Sequence, residues 1–371
     1  MSYFDPKPKT NRRDLYNMEE ELERLKEFTK HSPFILIKGL RRAGKTSLVY
    51  TAVNEFKLKA IVFDLRALPY EGKIDTEKFL VMICSGVNKF LEKHKGIREL
   101  FLDFIKKVEG VQIAGSGIRF RRESANVPDL IEIFDTFEKI AQQKNERLFL
   151  VFDEAQELRR VAKYRMDKLM AYIYDRLKNV ALIITGSEIG VVDDFLRLKD
   201  PKASLYGRAI DEINLKPFSE EQSREFLFKG YKEYKIDPPE DFVNYVVEKL
   251  NGNPGWLTFL GWETRNEKRF PKNLVDSVLE KASALAIEEF NLFLSLRWQA
   301  KDRYQAIAKI LARVEEASWK KLKTALEMEK GKISDKTFSS LLETLQKTGF
   351  VTKVGNEYKI TDPVLKYGLE R

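Results

Sequence analysis

Residues 34–46 read Phe-Ile-Leu-Ile-Lys-Gly-Leu-Arg-Arg-Ala-Gly-Lys-Thr, an apolar run that leads directly into a loop of the form Gly-x-x-x-x-Gly-Lys-Thr. The run 34–37 predicts a buried strand, and residues 47–56 predict the helix that follows the loop. Glycines let consecutive backbone N–H groups point at one ligand, and the start of a helix adds positive potential. The stretch therefore predicts a loop that binds phosphate groups, the alternative being a loop of this composition without a ligand.

The residues of this Walker A loop have distinct predicted roles. The Lys45 ammonium would neutralise the β and γ oxygens of a nucleotide, and the Thr46 hydroxyl would ligate magnesium. We therefore expect ATP or ADP to bind together with Mg²⁺. The predicted nucleotide-binding residues of the loop are Gly39, Leu40, Arg41, Arg42, Ala43, Gly44, Lys45, Thr46 and Ser47.

Two adjacent carboxylates follow another apolar segment. Residues 148–152 predict a strand that ends in Asp153 and Glu154. Asp153 suits a Walker B aspartate, because magnesium at Thr46 needs a hard carboxylate ligand nearby. Glu154 can polarise the water that attacks the γ-phosphate, which predicts ATP hydrolysis and not storage alone. The alternative is that Glu154 only caps the next helix.

Two hydroxyls and one arginine are further candidates for the reaction. Residues 180–185 predict a strand whose end carries Thr185 and Ser187, and one of these hydroxyls would orient the water or sense the γ-phosphate. Ser187 is taken as a catalytic candidate, although the sequence does not separate it from Thr185, and turn formation is the alternative. Arg208 could reach a γ-phosphate of its own chain or of a neighbouring subunit, with a surface salt bridge as the alternative.

Strands and helices alternate through the first half of the chain. This alternation predicts an α/β P-loop NTPase fold, with a mainly parallel sheet, helices on both faces and ligands at the carboxyl ends of the strands. Residues 111–113 and 118–121 are an exception, because they flank a Gly-Ser-Gly turn and are typical of a short exposed β-hairpin. The predicted hairpin ends in a basic patch formed by Arg119, Arg121 and Arg122.

The pattern changes to helices after Pro217. Residues 219–222 form a capping box, and Asn253 with Pro254 predicts the cap and the first residue of a later helix. The last segment predicts three helices followed by a terminal hairpin, which together make a winged helix. The sequence thus predicts three domains: a P-loop ATPase core (1–215), a helical lid (216–297) and a winged-helix domain (298–371).

Composition narrows the class of protein only slightly. A net charge of +9 and a pI of 9.2 permit contact with nucleic acid or another polyanion but do not locate it. The single cysteine, Cys84, rules out an intramolecular disulfide, and its apolar surroundings predict a buried side chain. No stretch approaches the ~18 apolar residues of a membrane span, so we expect a soluble cytoplasmic protein without a membrane partner.

Short motifs are distributed in a fixed order over nearly the whole chain. Besides the Walker A loop they are Asn11-Arg12-Arg13-Asp14-Leu15, Phe152-Asp153-Glu154-Ala155-Gln156, Thr185-Gly186-Ser187-Glu188, Tyr206-Gly207-Arg208, Leu215-Lys216-Pro217-Phe218-Ser219, Gly252-Asn253-Pro254 and Thr361-Asp362-Pro363. In this order they resemble the predominantly archaeal ATPases of the STAND class, a signalling branch related to the AAA+ proteins.

The resemblance implies an ATP-driven switch in which an ATPase core, a helical lid and a C-terminal winged helix open and close around the nucleotide. It also implies that Asn11 and Arg12 lie near the adenine and that Pro254 closes over the nucleotide. Many AAA+ relatives place an arginine in the lid that reads the γ-phosphate, whereas this sequence has Gly252-Asn253-Pro254 there. We therefore expect ATP hydrolysis that is slow or dependent on a partner.

The role of the winged helix is left open between two hypotheses. In the first it is a protein-interaction or autoinhibitory module, and in the second it binds duplex DNA in the manner of replication initiators. Residues 301–371 contain 15 Lys or Arg against 10 Asp or Glu, a net charge of +5, with Lys336 and Lys347 on the candidate recognition helix and Lys353 and Lys359 on the wing. This excess is modest for a duplex-binding surface, so an unknown protein partner is preferred.

Overall fold

The structure is a computed structural model that describes residues 2–69, 72–106, 108, 110–115, 117–120, 130–187, 189–198 and 200–371. Within those residues the strands, in chain order, are β1 (Phe34–Gly39), β2 (Lys59–Asp64), β3 (Val111–Ala114), β4 (Gly117–Phe120), β5 (Leu148–Asp153), β6 (Val180–Gly186), β7 (Asp211–Leu215), β8 (Glu316–Ser318), β9 (Val351–Val354) and β10 (Glu357–Ile360). The α-helices are α1 (Glu19–His31), α2 (Lys45–Glu55), α3 (Thr76–Lys93), α4 (Lys95–Ile105), α5 (Leu130–Lys144), α6 (Met166–Arg176), α7 (Ile189–Leu196), α8 (Glu220–Glu233), α9 (Glu240–Leu250), α10 (Pro254–Thr264), α11 (Lys272–Ser295), α12 (Lys301–Val314), α13 (Trp319–Lys330), α14 (Asp335–Lys347) and α15 (Pro363–Glu370).

A parallel sheet of five strands forms the centre of the N-terminal half, in the order β2-β5-β6-β1-β7. All residues of β1, β5 and β6 are buried, which explains why these segments are continuous apolar runs and do not alternate with polar residues. The chain leaves β1 towards one edge of the sheet and later returns to place β7 on the other side of β1. The carboxyl end of β1 therefore lies at a topological switch point, where such sheets bind ligands.

Side chains along β1 alternate between two hydrophobic clusters. Phe34 and Leu36 belong to the cluster formed with helices α3 to α7. Ile35 and Ile37 belong to the cluster formed with α1 and α2 on the other face. Because consecutive strand residues point to opposite faces, helices cover both sides of the sheet. The predicted fold class is confirmed.

The sheet extends one strand further than the sequence indicated. Residues 211–215 form β7, which pairs in parallel with β1 on the side away from β6. The prediction missed this strand because its sequence, Asp-Glu-Ile-Asn-Leu, contains only two apolar residues. Such alternation suits an edge strand, of which one face remains accessible to water.

The lid helices α8 to α11 and the winged helix share a single hydrophobic cluster. Helix α15 packs along α11, where Gly368 lies against Ile287. Phe4, near the N-terminus, is fully buried in the same cluster and packs directly on Gly230 and Gly261. The predicted domain limits at 215 and 297 stay predictions, and the shared cluster indicates that the lid and the winged helix pack as one unit.

The C-terminal segment contains the three predicted helices, α12, α13 and α14, followed by the hairpin of β9 and β10. The hairpin turn contains Gly355 with φ = 59°, a conformation that favours glycine. Two elements were not predicted. Strand β8 pairs with β10 and is only three residues long, too short to give a sequence pattern, and α15 follows Asp362 as its cap.

The predicted hairpin at residues 111–121 is present as β3 and β4, which pair in antiparallel fashion. It is less exposed than predicted, because the Asn88 side chain of α3 exchanges two hydrogen bonds with the backbone of Ile118, and Ile118 is buried. Arg119 of the predicted basic patch is exposed. Arg121 and Arg122 lie outside the described residues.

Two further sequence predictions concern burial. Cys84 is buried in α3, within the cluster that covers one face of the sheet. Its burial is confirmed. No helix in the described part of the chain has the length and apolar character needed to cross a lipid bilayer.

Candidate functional site

The Walker A loop is shaped by two glycines at close contacts. Gly44 has φ = 92°, in the left-handed region that favours glycine, and it directly precedes α2. A β-carbon at this position would lie 2.5 Å from Met18 Cε. At Gly39 an added β-carbon would lie 3.0 Å from Leu215 Cβ of strand β7. The loop backbone can therefore curve in a way that side chains at these two positions would obstruct.

Lys45 places a buried cation inside the loop. The residue is 4% exposed, and its ammonium donates hydrogen bonds to the carbonyl oxygens of Gly39 (3.1 Å) and Leu40 (2.9 Å). Burial lowers the pKa of Lys45, while the neighbouring carboxylates of Glu154 and Asp153 oppose that shift. Lys45 Nζ lies 3.9 Å from Glu154 Oε1. The predicted phosphate-binding cation and the predicted catalytic carboxylate thus share one site.

Asp153 joins the loop to the ends of two strands. The residue is 1% exposed, and the Thr46 hydroxyl donates to its Oδ2 at 2.9 Å. The Thr185 hydroxyl, at the end of β6, donates to its Oδ1 at 2.5 Å. Burial raises the pKa of Asp153, and the hydrogen bond from Thr185 opposes the rise. The three residues form one connected cluster at the carboxyl edge of the sheet.

The oxygens of Thr46 and Asp153 fit the protein's share of a magnesium site. Both are hard donors, they lie 2.9 Å apart, and they adjoin the phosphate-binding loop. Magnesium keeps several waters and takes few protein ligands where substrate phosphates complete its shell. Among the described residues no group of three or more His, Cys, Asp or Glu could form an all-protein cage. Two oxygen donors beside the loop therefore match magnesium that is shared with phosphates.

The backbone of Glu154 is held in an unusual conformation. It has φ = 61° and ψ = 52°, the left-handed region, which costs a non-glycine residue about 1–3 kcal/mol. Its N–H donates to the Thr185 hydroxyl at 3.0 Å. Strained residues of this kind are concentrated at functional sites, where surrounding bonds determine their conformation. Thr185 therefore contacts both carboxylate-bearing residues.

The two oxygens of the Glu154 carboxylate have different surroundings. Oε2 accepts hydrogen bonds from the Ser187 hydroxyl at 2.5 Å and from the Gln156 amide at 2.6 Å. Oε1 lies nearest to Lys45 Nζ. Burial alone would raise the pKa of Glu154, but the Lys45 charge and the hydrogen bonds from Gln156 and Ser187 lower it overall. The arrangement favours an ionised carboxylate with one oxygen fixed and the other near the phosphate site.

Thr185 and Ser187, which the sequence could not separate, have different partners. Thr185 bonds to Asp153 and to the Glu154 backbone, whereas Ser187 bonds to the Glu154 side chain. Gln156 was not predicted, although it lies within the motif that contains the two carboxylates. Only its amide nitrogen can donate to a carboxylate, so that bond fixes its orientation. The sequence did offer one indication of this role, since Gln156 is an amide residue only two positions after Glu154.

A cavity of about 380 Å³, the nucleotide cavity, adjoins Lys45 and Thr46. Its volume falls in the range of small-molecule sites. Pro254, at the start of α10, lines it, and its closure over a nucleotide stays a prediction. The lining of the cavity also includes aromatic and N-terminal residues, among them Tyr3, Tyr16, Phe218, Phe226 and Lys9.

Two predicted adenine contacts do not line the nucleotide cavity. Asn11 is exposed, and the Arg12 guanidinium is paired with Glu23 and with Glu55, the latter at 2.9 Å. Instead, residues 14–16, slightly further along the chain, border the cavity. The N-terminal motif is therefore adjacent to the cavity, but Asp14 and Leu15 line it and not Asn11 and Arg12.

Arg208 does not line the nucleotide cavity either. Its guanidinium makes two hydrogen bonds to Asp175, Nε to Oδ1 at 2.8 Å and Nη2 to Oδ2 at 2.6 Å. It also lies over the ring of Tyr174. Among the roles left open by the sequence, this placement favours a surface ion pair.

We expect Arg208→Ala to change ATP turnover by less than about twofold, because an exposed ion pair is worth ~0–1 kcal/mol. The measurement is the hydrolysis rate per chain over a range of protein concentrations, with Asp175→Ala as the control for the pair. A loss of roughly 1,000-fold would contradict the expectation and indicate an arginine finger. Recovery of activity on mixing Arg208→Ala with Lys45→Ala chains would then place that finger across a subunit boundary.

The tip of the Walker A loop is held by the lid. The Arg42 guanidinium lies 3.9 Å from the ring centroid of Trp256 and forms two hydrogen bonds with Glu289, at 3.1 and 2.5 Å. The backbone oxygen of Arg42 accepts from the N–H of Gly255 at 3.0 Å. Trp256 Nε1 donates in turn to Oδ2 of the partly buried Asp362 at 2.9 Å. A continuous set of contacts thus links the loop through α10 to the start of α15.

The winged helix makes a second set of contacts with the core. Lys347, the last residue of α14, pairs with Asp194 of α7 at 2.8 Å and packs on Gly190. Gly349, two residues later, faces the backbone oxygen of Ser187, 3.8 Å from where a β-carbon would stand. The end of the candidate recognition helix therefore lies beside the residue that bonds to Glu154.

A second cavity of about 350 Å³, the side cavity, is also lined by Glu154. It is lined by residues of the loop, of the segments that follow β2, β5 and β6, and of α11, namely Arg41, Arg42, Leu65, Arg66, Leu68, Glu154, Gln156, Glu157, Ser187 and Glu289. Arg41 at its edge lies 3.6 Å from Glu289 and beneath Phe350 of the winged helix. Both cavities therefore border the same carboxylate.

The fold has a parallel sheet with a glycine-shaped loop at its switch point, a buried lysine in that loop and a pair of carboxylates at a strand end. Together these features define a P-loop NTPase. Residues 15–260 match the family model described as an ATPase domain predominantly from Archaea. The chain belongs to that family. Residues 298–361 match the C-terminal winged helix-turn-helix domain of MCM proteins.

Three solved structures are similar to the chain over nearly its whole length. The Walker-type ATPase paby2304 of Pyrococcus abyssi is 32% identical, with a TM-score of 0.84 over 99% of each chain. The ORC2 protein of Aeropyrum pernix is 13% identical, with a TM-score of 0.63 over 99% of this chain and 96% of that one. Cdc6p of Pyrobaculum aerophilum is 14% identical, with a TM-score of 0.50 over 99% and 96%. The last two show the fold alone. No protein with a curated description matches the chain.

Proposed function

We propose that the chain is an ATP-binding and ATP-hydrolysing switch whose nucleotide state controls the C-terminal winged helix, and that the winged helix engages a protein partner. The observation that carries this proposal is the contact path from the Walker A loop to the winged helix. Arg42 stacks on Trp256, and Trp256 bonds to Asp362. A displacement of the loop tip on nucleotide binding would therefore act on the winged helix through a chain of packed side chains.

The proposed reaction is hydrolysis of ATP at the γ-phosphate. Lys45 would leave its two carbonyl partners to bind phosphate oxygens, and the loop N–H groups would hold the β-phosphate. Magnesium held by Thr46 and Asp153 would neutralise part of the phosphate charge. Glu154 would accept a proton from the attacking water, with Ser187 and Gln156 fixing its other oxygen. ADP and inorganic phosphate would be the products.

A protein partner is proposed in preference to DNA because of what the recognition helix exposes. The exposed positions of α14 carry two acids and one lysine, with the remainder uncharged: Asp335, Lys336, Thr337, Ser339, Ser340 and Glu343. Lys347 is engaged by Asp194 and Glu343. Duplex binding requires basic side chains free to neutralise phosphates. A duplex affinity that falls steeply with added salt would favour the DNA alternative instead.

Reversal of the charge on Lys347 should loosen the docked winged helix. Lys347→Glu would place a carboxylate against Asp194 of the core, so we expect ADP release to become faster by roughly 2- to 10-fold, the range of a half-exposed ion pair. The measurement is stopped-flow release of a fluorescent ADP analogue.

Two matched variants make that result specific. Lys336→Glu changes an exposed lysine on the same helix and should leave ADP release unchanged. Combining Lys347→Glu with Asp194→Lys restores opposite charges and should restore slow release. If Lys347→Glu released ADP at the wild-type rate, the docking contact would have no part in the switch.

A further inference from the structure

The nucleotide cavity and the side cavity meet beside the proposed base. In the part of the chain that the structure describes, three residues line both: Arg42, Arg66 and Glu154. If Glu154 activates the water, the reacting phosphate must lie near this junction. The cations that border it are therefore placed to meet the charge that develops on the phosphate.

Arg42 is bound to other groups at the junction. Both of its terminal nitrogens donate to Glu289, and its guanidinium stacks on Trp256. Arg41 lines the side cavity but not the nucleotide cavity, and it lies against Glu289 and Phe350. These two arginines hold the loop tip against the lid and the winged helix.

Two other sources of a cation are less well placed. Arg208 is bonded to Asp175 and lines neither cavity. The lid segment that begins α10 carries Gly252-Asn253-Pro254 and no arginine. Arg66 is the remaining arginine that lines both cavities.

The position of Arg66 follows from strand pairing. Strand β2 pairs in parallel with β5, and Asp64 at its end is the direct partner of Asp153. Arg66 lies two residues later and bonds to Asp64 through Nε and Nη2, both at 2.8 Å. Its Nη2 is 3.5 Å from Asp153 Oδ2. A bidentate partner therefore orients a half-exposed guanidinium next to the predicted magnesium ligand.

We propose that Arg66 is a catalytic residue that stabilises the transferring γ-phosphoryl group from within its own chain, an inference that rests on the proposed ATP hydrolysis. The water oxygen bonds to the γ phosphorus while the bond from that phosphorus to the bridging oxygen breaks. Glu154 takes a water proton, and the bridging oxygen leaves with the electron pair as part of ADP. Charge grows on the γ and bridging oxygens, to which Arg66 donates N–H groups. An arginine in this role typically contributes 10³–10⁵-fold to turnover.

The test separates transition-state binding from ground-state binding. Titration calorimetry measures the affinity of the full chain for Mg–ADP and for Mg–ADP with aluminium fluoride, a mimic of the transferring phosphoryl group. For Arg66→Ala we expect ADP affinity within about twofold of wild type, weaker binding with aluminium fluoride by roughly 100-fold or more, and a matching loss in single-turnover hydrolysis. Arg66→Lys should recover only part of both, because lysine lacks the bidentate fork.

Arg165→Ala is the matched control, because Arg165 bonds in the same bidentate manner to a carboxylate two residues away, Asp167, outside the site. It should leave all three measurements unchanged. If Arg66→Ala bound the aluminium fluoride complex as tightly as wild type, Arg66 would be an ion-pair partner of Asp64 and the proposal would be overturned. If the wild-type chain bound no ATP, both the proposed function and this inference would be overturned. If the wild-type chain hydrolysed ATP and Arg66→Ala behaved like wild type, only the inference about Arg66 would be overturned.

Discussion

Lys45→Ala is expected to weaken ATP binding by roughly 100-fold or more, the loss expected when charge-assisted hydrogen bonds of about 1.5–3 kcal/mol each are removed. The substitution removes the buried cation from a loop whose glycines remain in place. It also leaves Glu154 without the ammonium that lies 3.9 Å from its Oε1, which adds repulsion between this carboxylate and the phosphates. Titration calorimetry with Mg–ATP measures the effect, and thermal unfolding checks that the chain is folded.

Lys38→Ala is the matched control for that experiment. Like Lys45, Lys38 is a buried lysine, but it lies in β1, and its ammonium pairs with Asp193 and Glu212 and not with the loop carbonyls. We expect this variant to lose stability while retaining ATP affinity. Unchanged ATP affinity in Lys45→Ala would contradict the assignment of this loop as the nucleotide-binding site, whatever the affinity of Lys38→Ala.

Glu154→Gln is expected to separate binding from turnover. The amide has the size of the carboxylate and can still accept from Ser187 and Gln156, but it cannot take a proton from water. Mg–ATP affinity should stay close to wild type, because Lys45, Thr46 and Asp153 are unchanged. Hydrolysis in a single turnover should fall by roughly 100-fold or more.

Glu157→Gln tests whether that loss is specific. Glu157 also lines the side cavity, three residues further along the chain, and its carboxylate pairs with Arg160. We expect its hydrolysis rate to remain within about twofold of wild type, in keeping with the loss of one ion pair. A Glu154→Gln chain that hydrolyses ATP at the wild-type rate would leave Glu154 with only a structural role.

The sequence predicted those parts of the site that depend on the local order of strands, loops and helices along the chain. A strand, a glycine-rich loop and a helix follow one another within residues 34–56, and two further strands end in carboxylate and hydroxyl residues. Parallel strands bring their carboxyl ends to one edge of the sheet, so these residues were expected to meet. The bonds from Thr46 and Thr185 to Asp153 are consistent with that expectation.

The parts that the sequence did not predict depend on packing between distant segments. Trp256 reaches Asp362 across 106 positions, and Lys347 reaches Asp194 from another domain. The hydrophobic periodicity of a sequence indicates helices and strands, but it gives no information on contacts between distant segments. Arg66 was missed for a different reason, since an arginine after a strand is common and gains meaning only when β2 is known to lie beside β5.

The central claim is that nucleotide state moves the winged helix relative to the ATPase core. Spin labels at the exposed positions Lys144 of α5 and Ser340 of α14 would report that distance in a Cys84→Ala background, which removes the native cysteine. The Glu154→Gln substitution keeps ATP intact during the measurement. We predict distance distributions that differ between the ATP-bound and ADP-bound chains by roughly 5 Å or more, the size of a one-turn displacement. Identical distributions in the two states, with both nucleotides bound, would contradict the switch.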